Sequence, residues 1–345
     1  MTDRLKIAIA QMNQRVGDLD ANASAMLEMR RKAKDADLLL CPELQLVGYP
    51  PEDLVLKPEF VRRTMEHTEK LIEATVEPGP AMLIGTILNE GGQNFNTMLL
   101  ADKGRIVGRT FKHELPNYGT FDEKRIFTPG PLPEPIEWRG VKLGVPVCED
   151  MWLEPVCAHL AELGAELFLA PHGSPYELDK NLIRAHLARA RTTSTGLPLI
   201  FLNRVGGQDE LAFDGSSFVM HPDGETIVQM PDWEESFLVT DWVRSPLGWR
   251  CETRCEHELD AFPSDVYRAM MVALRDYVAR NGFPGVILGL SGGIDSALSA
   301  AVAVDALGPD RVWGVMLPSK FTSEESLEDA RDCALLLGCR HDVIA

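Results

Sequence analysis

The chain has 345 residues and a formal net charge of −18, with a pI of about 4.9. This acidic balance argues against a nucleic-acid binder that gains its affinity by neutralising phosphates, and against a basic protein of membrane surfaces. Hydrophobic residues make up 45% of the chain, which is typical of a globular protein with a buried core, and the length predicts about two domains.

The sequence shows no sign of a membrane-spanning or secreted protein. No apolar run reaches the roughly 18 residues that cross a bilayer, and the N-terminus lacks the layout of a signal peptide. The seven cysteines are an odd number, which favours reduced thiols over a disulfide framework. We therefore expect a cytoplasmic protein.

Short apolar runs bounded by Gly, Pro, Asn or Asp predict a series of buried strands in the first part of the chain. In chain order they are 6–12, 37–41, 81–88, 96–101, 105–111, 141–148, 166–170, 199–203, 217–221 and 237–242. Apolar positions at three-to-four spacing predict helices over 19–34, 59–73, 155–163 and 182–195. This mixture predicts a layered α/β domain over residues 1–245.

The pattern changes after residue 245. Residues 246–262 lack a clear period and predict a linker. The elements predicted beyond it are a helix, a strand, a tight loop, a helix, a strand and a helix, at 264–281, 285–290, 291–296, 297–307, 312–317 and 326–337. This order predicts a βαβ unit in a parallel, doubly wound α/β domain. Such domains usually have more strands, so we expect 263–345 to be only its N-terminal part.

Three residues suited to acyl transfer each follow a predicted strand: Glu43, Lys112 and Cys148. Strand ends are where α/β folds assemble active sites from distant parts of a sequence. A thiol is a strong nucleophile once it is deprotonated, and a carboxylate can take its proton and return it to a leaving amine. A lysine ammonium, with the backbone N–H that follows the cysteine, can hold the oxyanion of a tetrahedral intermediate.

The sequence around these residues resembles the nitrilase superfamily and, within it, the glutaminase domain of glutamine-dependent NAD synthetases. The similar segments are PEL at 42–44, GYPPEDL at 48–54, KHELPNYGTFDE at 112–123 and VCEDMW at 147–152. The resemblance covers residues 1–245 and implies an αββα sandwich with a Cys–Glu–Lys triad.

Carried over by position, the resemblance implies a role for each residue of the triad. Cys148 is then the nucleophile, Glu43 the general base and acid, and Lys112 the oxyanion stabiliser. It further implies a second carboxylate, Glu123, that orients the lysine, and four residues near the glutamine: Tyr118, Glu149, Ser174 and Lys180.

A second constellation is the sequence SGGIDS at 291–296, between a predicted strand and a predicted helix. Two glycines let backbone amides turn toward a phosphate, and the helix N-terminus adds a positive dipole end. The two serine hydroxyls can donate to phosphate oxygens, and Asp295 can hold Mg²⁺ beside them. The predicted ATP-binding residues are Ser291, Gly292, Gly293, Ile294, Asp295 and Ser296.

This loop resembles the pyrophosphate loop of ATP-pyrophosphatase-type ligases. The flanking segments LRDYV at 274–278, NGF at 281–283 and GVMLPSK at 314–320 resemble the synthetase domain of the same NAD synthetases. Together the two resemblances imply that glutamine is hydrolysed through a Cys thioester. The ammonia is then used with ATP and Mg²⁺ to amidate deamido-NAD⁺, releasing AMP and pyrophosphate. They also imply a homo-oligomer.

Three alternatives remain open from the sequence. One is a freestanding nitrilase-superfamily amidase, and another is a different glutamine-dependent amidoligase of the ATP-pyrophosphatase type. The third is a non-catalytic nucleotide-binding or assembly module. The spacing of Cys251, Cys255 and His257 does not predict a zinc site, because no second thiol pair is placed to complete a tetrahedron.

Overall fold

The computed structural model describes residues 3–344, which form two compact units. The first unit contains the residues up to Gly206 together with Phe213–Leu259. The second contains Gly207–Ala212 and the residues from Asp260 onward. No helix among the described residues is both long enough and apolar enough to cross a membrane.

The first unit contains two mixed sheets, six α-helices and a 3₁₀ helix (Glu52–Leu56) among its described residues. The helices are α1 (Leu19–Lys32), α2 (Pro58–Ala74), α3 (Glu123–Ile126), α4 (Glu149–Trp152), α5 (Glu154–Glu162) and α6 (Lys180–Thr195). Its first nine strands, in chain order, are β1 (Arg4–Gln11), β2 (Leu38–Leu40), β3 (Ala81–Glu90), β4 (Gln93–Asp102), β5 (Arg105–Phe111), β6 (Ile136–Trp138), β7 (Val141–Gly144), β8 (Leu167–His172) and β9 (Leu199–Asn203). Strands β10 (Val205–Gln208) and β11 (Leu211–Asp214) form a hairpin, of which Gly207–Ala212 belong to the second unit. The remaining strands of the first unit are β12 (Phe218–Met220), β13 (Thr226–Gln229), β14 (Ser236–Ser245) and β15 (Gly248–Cys251).

The strand order shows how the sheets are built. The first sheet has the order β15-β14-β1-β2-β3-β4-β5, and its central pairs β1–β2 and β2–β3 are parallel. The second has the order β13-β12-β9-β8-β7-β6, with β7–β8 and β8–β9 parallel. Parallel neighbours end at the same sheet edge, so chain segments that are distant in sequence emerge side by side.

Successive side chains of a strand point to opposite faces of its sheet, so the strands of the first unit contribute to two different core layers. Ile7 and Ile9 of β1 share one core cluster with Leu167 and Leu169 of β8, which places these side chains between the two sheets. Phe168 and Ala170 of β8 instead pack against helices α4, α5 and α6, while α2 packs on β3. Each fully buried leucine or isoleucine contributes about 1.5–3 kcal/mol to folding. The result is the αββα sandwich that was predicted.

The segment 246–262, predicted as a linker, contains strand β15, so the linker prediction is wrong for Gly248–Cys251. This strand pairs antiparallel with β14, and Trp249 is only 1% exposed, within the core between the sheets. Its apolar alternation is limited to Trp249 and Cys251, which is too short for a sequence pattern to reveal.

The second unit contains helices α7 (Ser264–Arg280), α8 (Ile294–Leu307) and α9 (Glu324–Leu337). Its sheet consists of three parallel strands in the order β16 (Val286–Gly289), β17 (Val312–Met316) and β18 (Arg340–Val343). Strand β16, the loop at 291–293, α8 and β17 form the predicted βαβ unit. A small apolar cluster that includes Leu290, Ala300 and Met316 packs helices α8 and α9 onto this sheet.

Candidate active site

The first unit brings Glu43 and Lys112 into direct contact. Glu43 follows β2 and Lys112 follows β5, and both strands belong to the first sheet. Lys112 Nζ lies 2.7 Å from Glu43 Oε1, and both side chains are fully buried. A contact between residues 69 positions apart therefore depends on the sheet that carries both strands.

The two oxygens of the Glu43 carboxylate have different surroundings. Oε1 accepts hydrogen bonds from Lys112 and from Asn96 Nδ2, the latter at 2.8 Å. Oε2 accepts one, from the backbone N–H of Gly173 at 2.8 Å. Because a carboxylate oxygen has about two lone-pair positions, Oε2 keeps one for a proton. Sequence reasoning missed Asn96 and Gly173; the one available signal was a polar asparagine within an apolar strand.

Lys112 is held between two carboxylates. Its Nζ also lies 2.8 Å from Glu123 Oε1, and the same oxygen accepts a hydrogen bond from the Tyr49 hydroxyl at 2.8 Å. Burial acts to lower the pKa of Lys112, but the charges of Glu123 and Glu43 outweigh it and raise this pKa well above its ordinary value. The side chain thus stays a cation at any pH at which the protein works.

Cys148 lies at a strained turn directly before α4. Its φ is 47° and its ψ is −99°, a conformation that costs a non-glycine residue about 1–3 kcal/mol. Burial raises the pKa of the thiol well above its usual value, the Glu43 carboxylate raises it further, and the Lys112 ammonium opposes both. The Cys148 side chain is therefore a neutral thiol at rest, which would need a nearby base to take its proton before it could act as a nucleophile.

The four residues predicted near the glutamine fall into two groups. The Tyr118 hydroxyl donates to both oxygens of Glu149, at 3.1 and 3.0 Å, and burial raises the pKa of Glu149. Lys180 lies with its Nζ 4.9 Å from the centre of the Trp152 ring, and its charge acts on Glu149. Ser174 is buried on a different loop, directly after Gly173.

A buried ion pair that sequence reasoning missed holds the Ser174 loop. Arg184 Nη1 lies 2.7 Å from Asp214 Oδ2, and both side chains are almost completely buried. Arg184 Nη2 donates to the backbone carbonyls of Ser174 and Pro175, at 2.8 and 2.9 Å. The pair fixes the loop that also supplies the Gly173 N–H to Glu43.

His172 gives a prediction about acid stability. Its ring stacks on Phe201 with the centroids 3.8 Å apart, and burial lowers its pKa to about 3. Below about pH 6.5 the unfolded chain binds a proton at His172 and the folded protein does not. Folding stability therefore decreases as the pH is lowered, by up to about 1.4 kcal/mol per pH unit. We expect His172→Phe to reduce this slope in urea unfolding between about pH 6 and pH 4. An unchanged slope would contradict the prediction.

The second unit carries the predicted phosphate loop between β16 and α8. Gly292 has a φ of +81°, and a Cβ built there would lie 2.4 Å from the carbonyl oxygen of Ser326. The Ser296 hydroxyl accepts from the Ser291 N–H at 3.1 Å and donates to the Gly293 carbonyl at 2.9 Å. A cleft of about 440 Å³ opens at the ends of β16 and β17; its lining includes Ser291, Ser323 and Ser326. The tight glycine turn and the hydroxyls suit a phosphate group.

Comparisons with known proteins agree with both units. Residues 6–247 match the carbon-nitrogen hydrolase family and residues 266–345 match NAD synthase. A glutamine-dependent NAD(+) synthetase of Rhodobacter capsulatus is 45% identical over 349 residues, covering 100% of this chain and 62% of the relative. One from Acinetobacter baylyi is 40% identical, covering 96% and 61%.

Solved structures give the same result. A glutamine-dependent NAD+ synthetase from Acinetobacter baumannii, in complex with ADP, has a TM-score of 0.91 and 38% identity, covering 99% of this chain and 64% of that one. An amidase from Nesterenkonia sp. has a TM-score of 0.62 and 27% identity, covering 72% and 93%. The chain spans about three fifths of the length of the curated relatives it matches. It belongs to the carbon-nitrogen hydrolase family, and its residues 266–345 are similar to NAD synthase.

Proposed function

We propose that this chain carries the glutaminase site and part of the ATP site of a glutamine-dependent NAD⁺ synthetase. The observation that carries the proposal is one chain that combines a buried Glu43–Lys112 pair beside Cys148 with a phosphate loop at 291–296. A simple amidase, although it has the same sandwich, has no use for the phosphate loop. This favours the synthetase over the amidase.

At the first site, Cys148 Sγ attacks the side-chain amide carbon of glutamine while Glu43 Oε2 takes the thiol proton. The developing oxyanion is held by Lys112 Nζ and by the backbone N–H of Glu149. Glu43 then delivers the proton to the departing nitrogen, the C–N bond breaks, and ammonia leaves from a thioester. Water attacks the thioester with Glu43 again as the base, which releases glutamate and restores the thiol.

At the second site, the carboxylate of deamido-NAD⁺ attacks the α-phosphorus of ATP and pyrophosphate leaves. Ammonia then attacks the resulting acyl adenylate and displaces AMP. Ser291, Ser296 and the amides of the glycine turn are the groups of this chain that would hold the phosphates. Mg²⁺ would be held beside them by Asp295 and would neutralise phosphate charge.

The proposal includes the setting in which the protein works. All seven cysteines are free, and a thiol nucleophile must stay reduced, so we place the protein in the cytoplasm. Its partners are then small molecules (glutamine, ATP and deamido-NAD⁺), with neither nucleic acid nor a membrane among them. The homo-oligomer implied by the resemblance stays a prediction.

The test follows nitrogen from glutamine into product. The protein is incubated with glutamine labelled with ¹⁵N in its amide, deamido-NAD⁺, ATP and Mg²⁺, and NAD⁺ is analysed by mass spectrometry. Labelled NAD⁺ supports the proposal, and so does glutamate formation together with ATP binding, which is the result expected of a chain that carries only part of the ATP site. Glutamate without NAD⁺, and with no ATP binding, indicates the freestanding amidase. ATP binding without glutamine hydrolysis indicates a nucleotide-binding module, and labelling of another acceptor indicates a different amidoligase.

The phosphate loop gives a separate prediction. Gly292→Ala should weaken MgATP binding at least about tenfold, because its Cβ would collide with the Ser326 carbonyl at a φ that side chains rarely adopt. Asp295→Ala should weaken it only when Mg²⁺ is present. Isothermal titration calorimetry measures both. Gly308→Ala is the matched control, since that glycine also has a positive φ but its Cβ would meet open space. Equal effects at Gly292 and Gly308 would contradict the assignment.

A further inference from the structure

Asp150 is a fully buried carboxylate that the proposed chemistry does not use. No ion pair joins it to a cation among residues 3–344. Burial raises the pKa of this carboxyl to about 7, against the opposing effect of the backbone N–H groups around it. A buried acid without a counter-cation is costly, so its placement needs a reason.

Asp150 first stabilises the strained turn at Cys148. Asp150 Oδ2 accepts the backbone N–H of Val147 at 3.0 Å, while the Asp150 N–H donates to the Val147 carbonyl at 3.1 Å. These two bonds close a small ring over Cys148 and Glu149. An unfavourable backbone conformation persists only where its surroundings hold it, and this ring brackets the strained residue.

Asp150 also contacts the segment that leaves Lys112. Asp150 Oδ1 accepts the backbone N–H groups of His113 and Glu114, at 3.1 and 2.8 Å. The Asp150 carboxylate therefore joins the turn that contains Cys148 to the two residues that follow Lys112. An acid that only stabilised the start of the short helix α4 would require the Val147 contact alone. The additional hydrogen bonds from His113 and Glu114 to Oδ1 indicate a second role.

We propose that Asp150 is a positioning residue that sets the distance between the two donors to the oxyanion, Lys112 Nζ and the backbone N–H of Glu149. The donors belong to the two segments that Asp150 joins. Misplacing a reacting group by about 1 Å costs on the order of 100-fold in rate, so this link acts on the transition state more than on glutamine binding. The inference rests on the proposed glutaminase chemistry.

Asp150→Asn tests the proposal, because an amide of the same shape cannot accept at both of its ends. We expect kcat for glutamine hydrolysis to fall about 100-fold and KM to stay within about twofold. Asp102→Asn is the control; its carboxylate accepts the Trp138 Nε1–H at 3.0 Å in another part of the unit, and both constants should be unchanged. If the only change were a lower unfolding midpoint, with normal kcat in the folded protein, the proposal would be overturned.

A second measurement does not depend on glutamine. Butyraldehyde adds to the thiol: the Sγ–carbon bond forms, the carbonyl π bond breaks, and the thiol proton passes through Glu43 to the new oxygen. With ¹³C at the carbonyl, NMR reports the tetrahedral adduct, whose oxygen sits where the oxyanion forms. We expect Asp150→Asn to weaken this adduct on the order of 100-fold relative to the wild type.

Glutamine hydrolysis and the butyraldehyde adduct test the proposed function and the role of Asp150 separately. A wild-type protein that forms the adduct and leaves glutamine intact would refute the proposed function, while the Asp150 comparison still stands on the adduct. An adduct of equal stability in both proteins, or none in the wild type, would overturn the role of Asp150. If Asp150→Asn does not fold, Asp150→Ser, which keeps a single acceptor for Val147, takes its place with the same expectations.

Discussion

Cys148→Ala is expected to slow glutamine hydrolysis by at least about 10⁴-fold, because the thioester route disappears with its sulfur. The methyl group fits the space of the thiol, so folding and ATP binding should be unchanged. The rate is measured as glutamate formed per minute, and mass spectrometry of acid-quenched protein shows whether the acyl adduct of the wild type is lost.

Cys157→Ala is the matched control for this variant. Cys157 is as deeply buried as Cys148 but packs in the helix-side core, so its loss should affect stability slightly and hydrolysis hardly at all. If Cys148→Ala kept more than about a hundredth of the wild-type rate, the sulfur would not be the nucleophile. The triad assignment would then have to be abandoned.

Lys112→Met is expected to lower both stability and activity, and its loss of stability is the largest expected for any variant proposed here. The substitution leaves two buried carboxylates, Glu43 and Glu123, without their shared cation, and breaking a buried ion pair in this way costs about 3–5 kcal/mol. It also removes one donor to the oxyanion, which lowers kcat by about 10²–10³-fold. Urea unfolding and steady-state hydrolysis measure the two effects.

A double variant separates the two effects of losing the lysine. Adding Glu123→Gln to Lys112→Met removes one of the stranded charges, so part of the lost stability should return while hydrolysis stays low. Lys142→Met is the control, because Lys142 is exposed and its Nζ donates to the backbone carbonyl of Leu163, at 3.1 Å, rather than to a carboxylate. Full stability in Lys112→Met, or recovered hydrolysis in the double variant, would contradict the assigned role.

Much of the fold and the main candidates could be predicted from the sequence because both depend on local patterns. Glu43, Lys112 and Cys148 each follow a run of apolar residues, and the glycine turn at 291–296 sits between a strand and a helix. Their assignment to chemical roles came from the resemblance and stays a proposal.

The rest of the site depends on contacts that no local pattern encodes. The N–H of Gly173 reaches Glu43 across 130 residues and Asn96 reaches it across 53, so neither partner is visible along the chain. Asp150 reads as an ordinary acid in a short turn until its three backbone donors are seen. Strand β15 was missed for a related reason, since a four-residue strand is recognised mainly through the partner it pairs with.

The arrangement of one ammonium between two carboxylates bears on how ammonia would leave the site in the proposed mechanism. Counted formally, the trio carries one negative charge in excess, and in a water-poor interior that excess attracts cations strongly. An ammonium ion would be retained there as a counter-ion, whereas uncharged ammonia would not be held by this electrostatic attraction. In the proposed mechanism, returning only the thiol proton to the leaving nitrogen would therefore keep the ammonia mobile as well as nucleophilic.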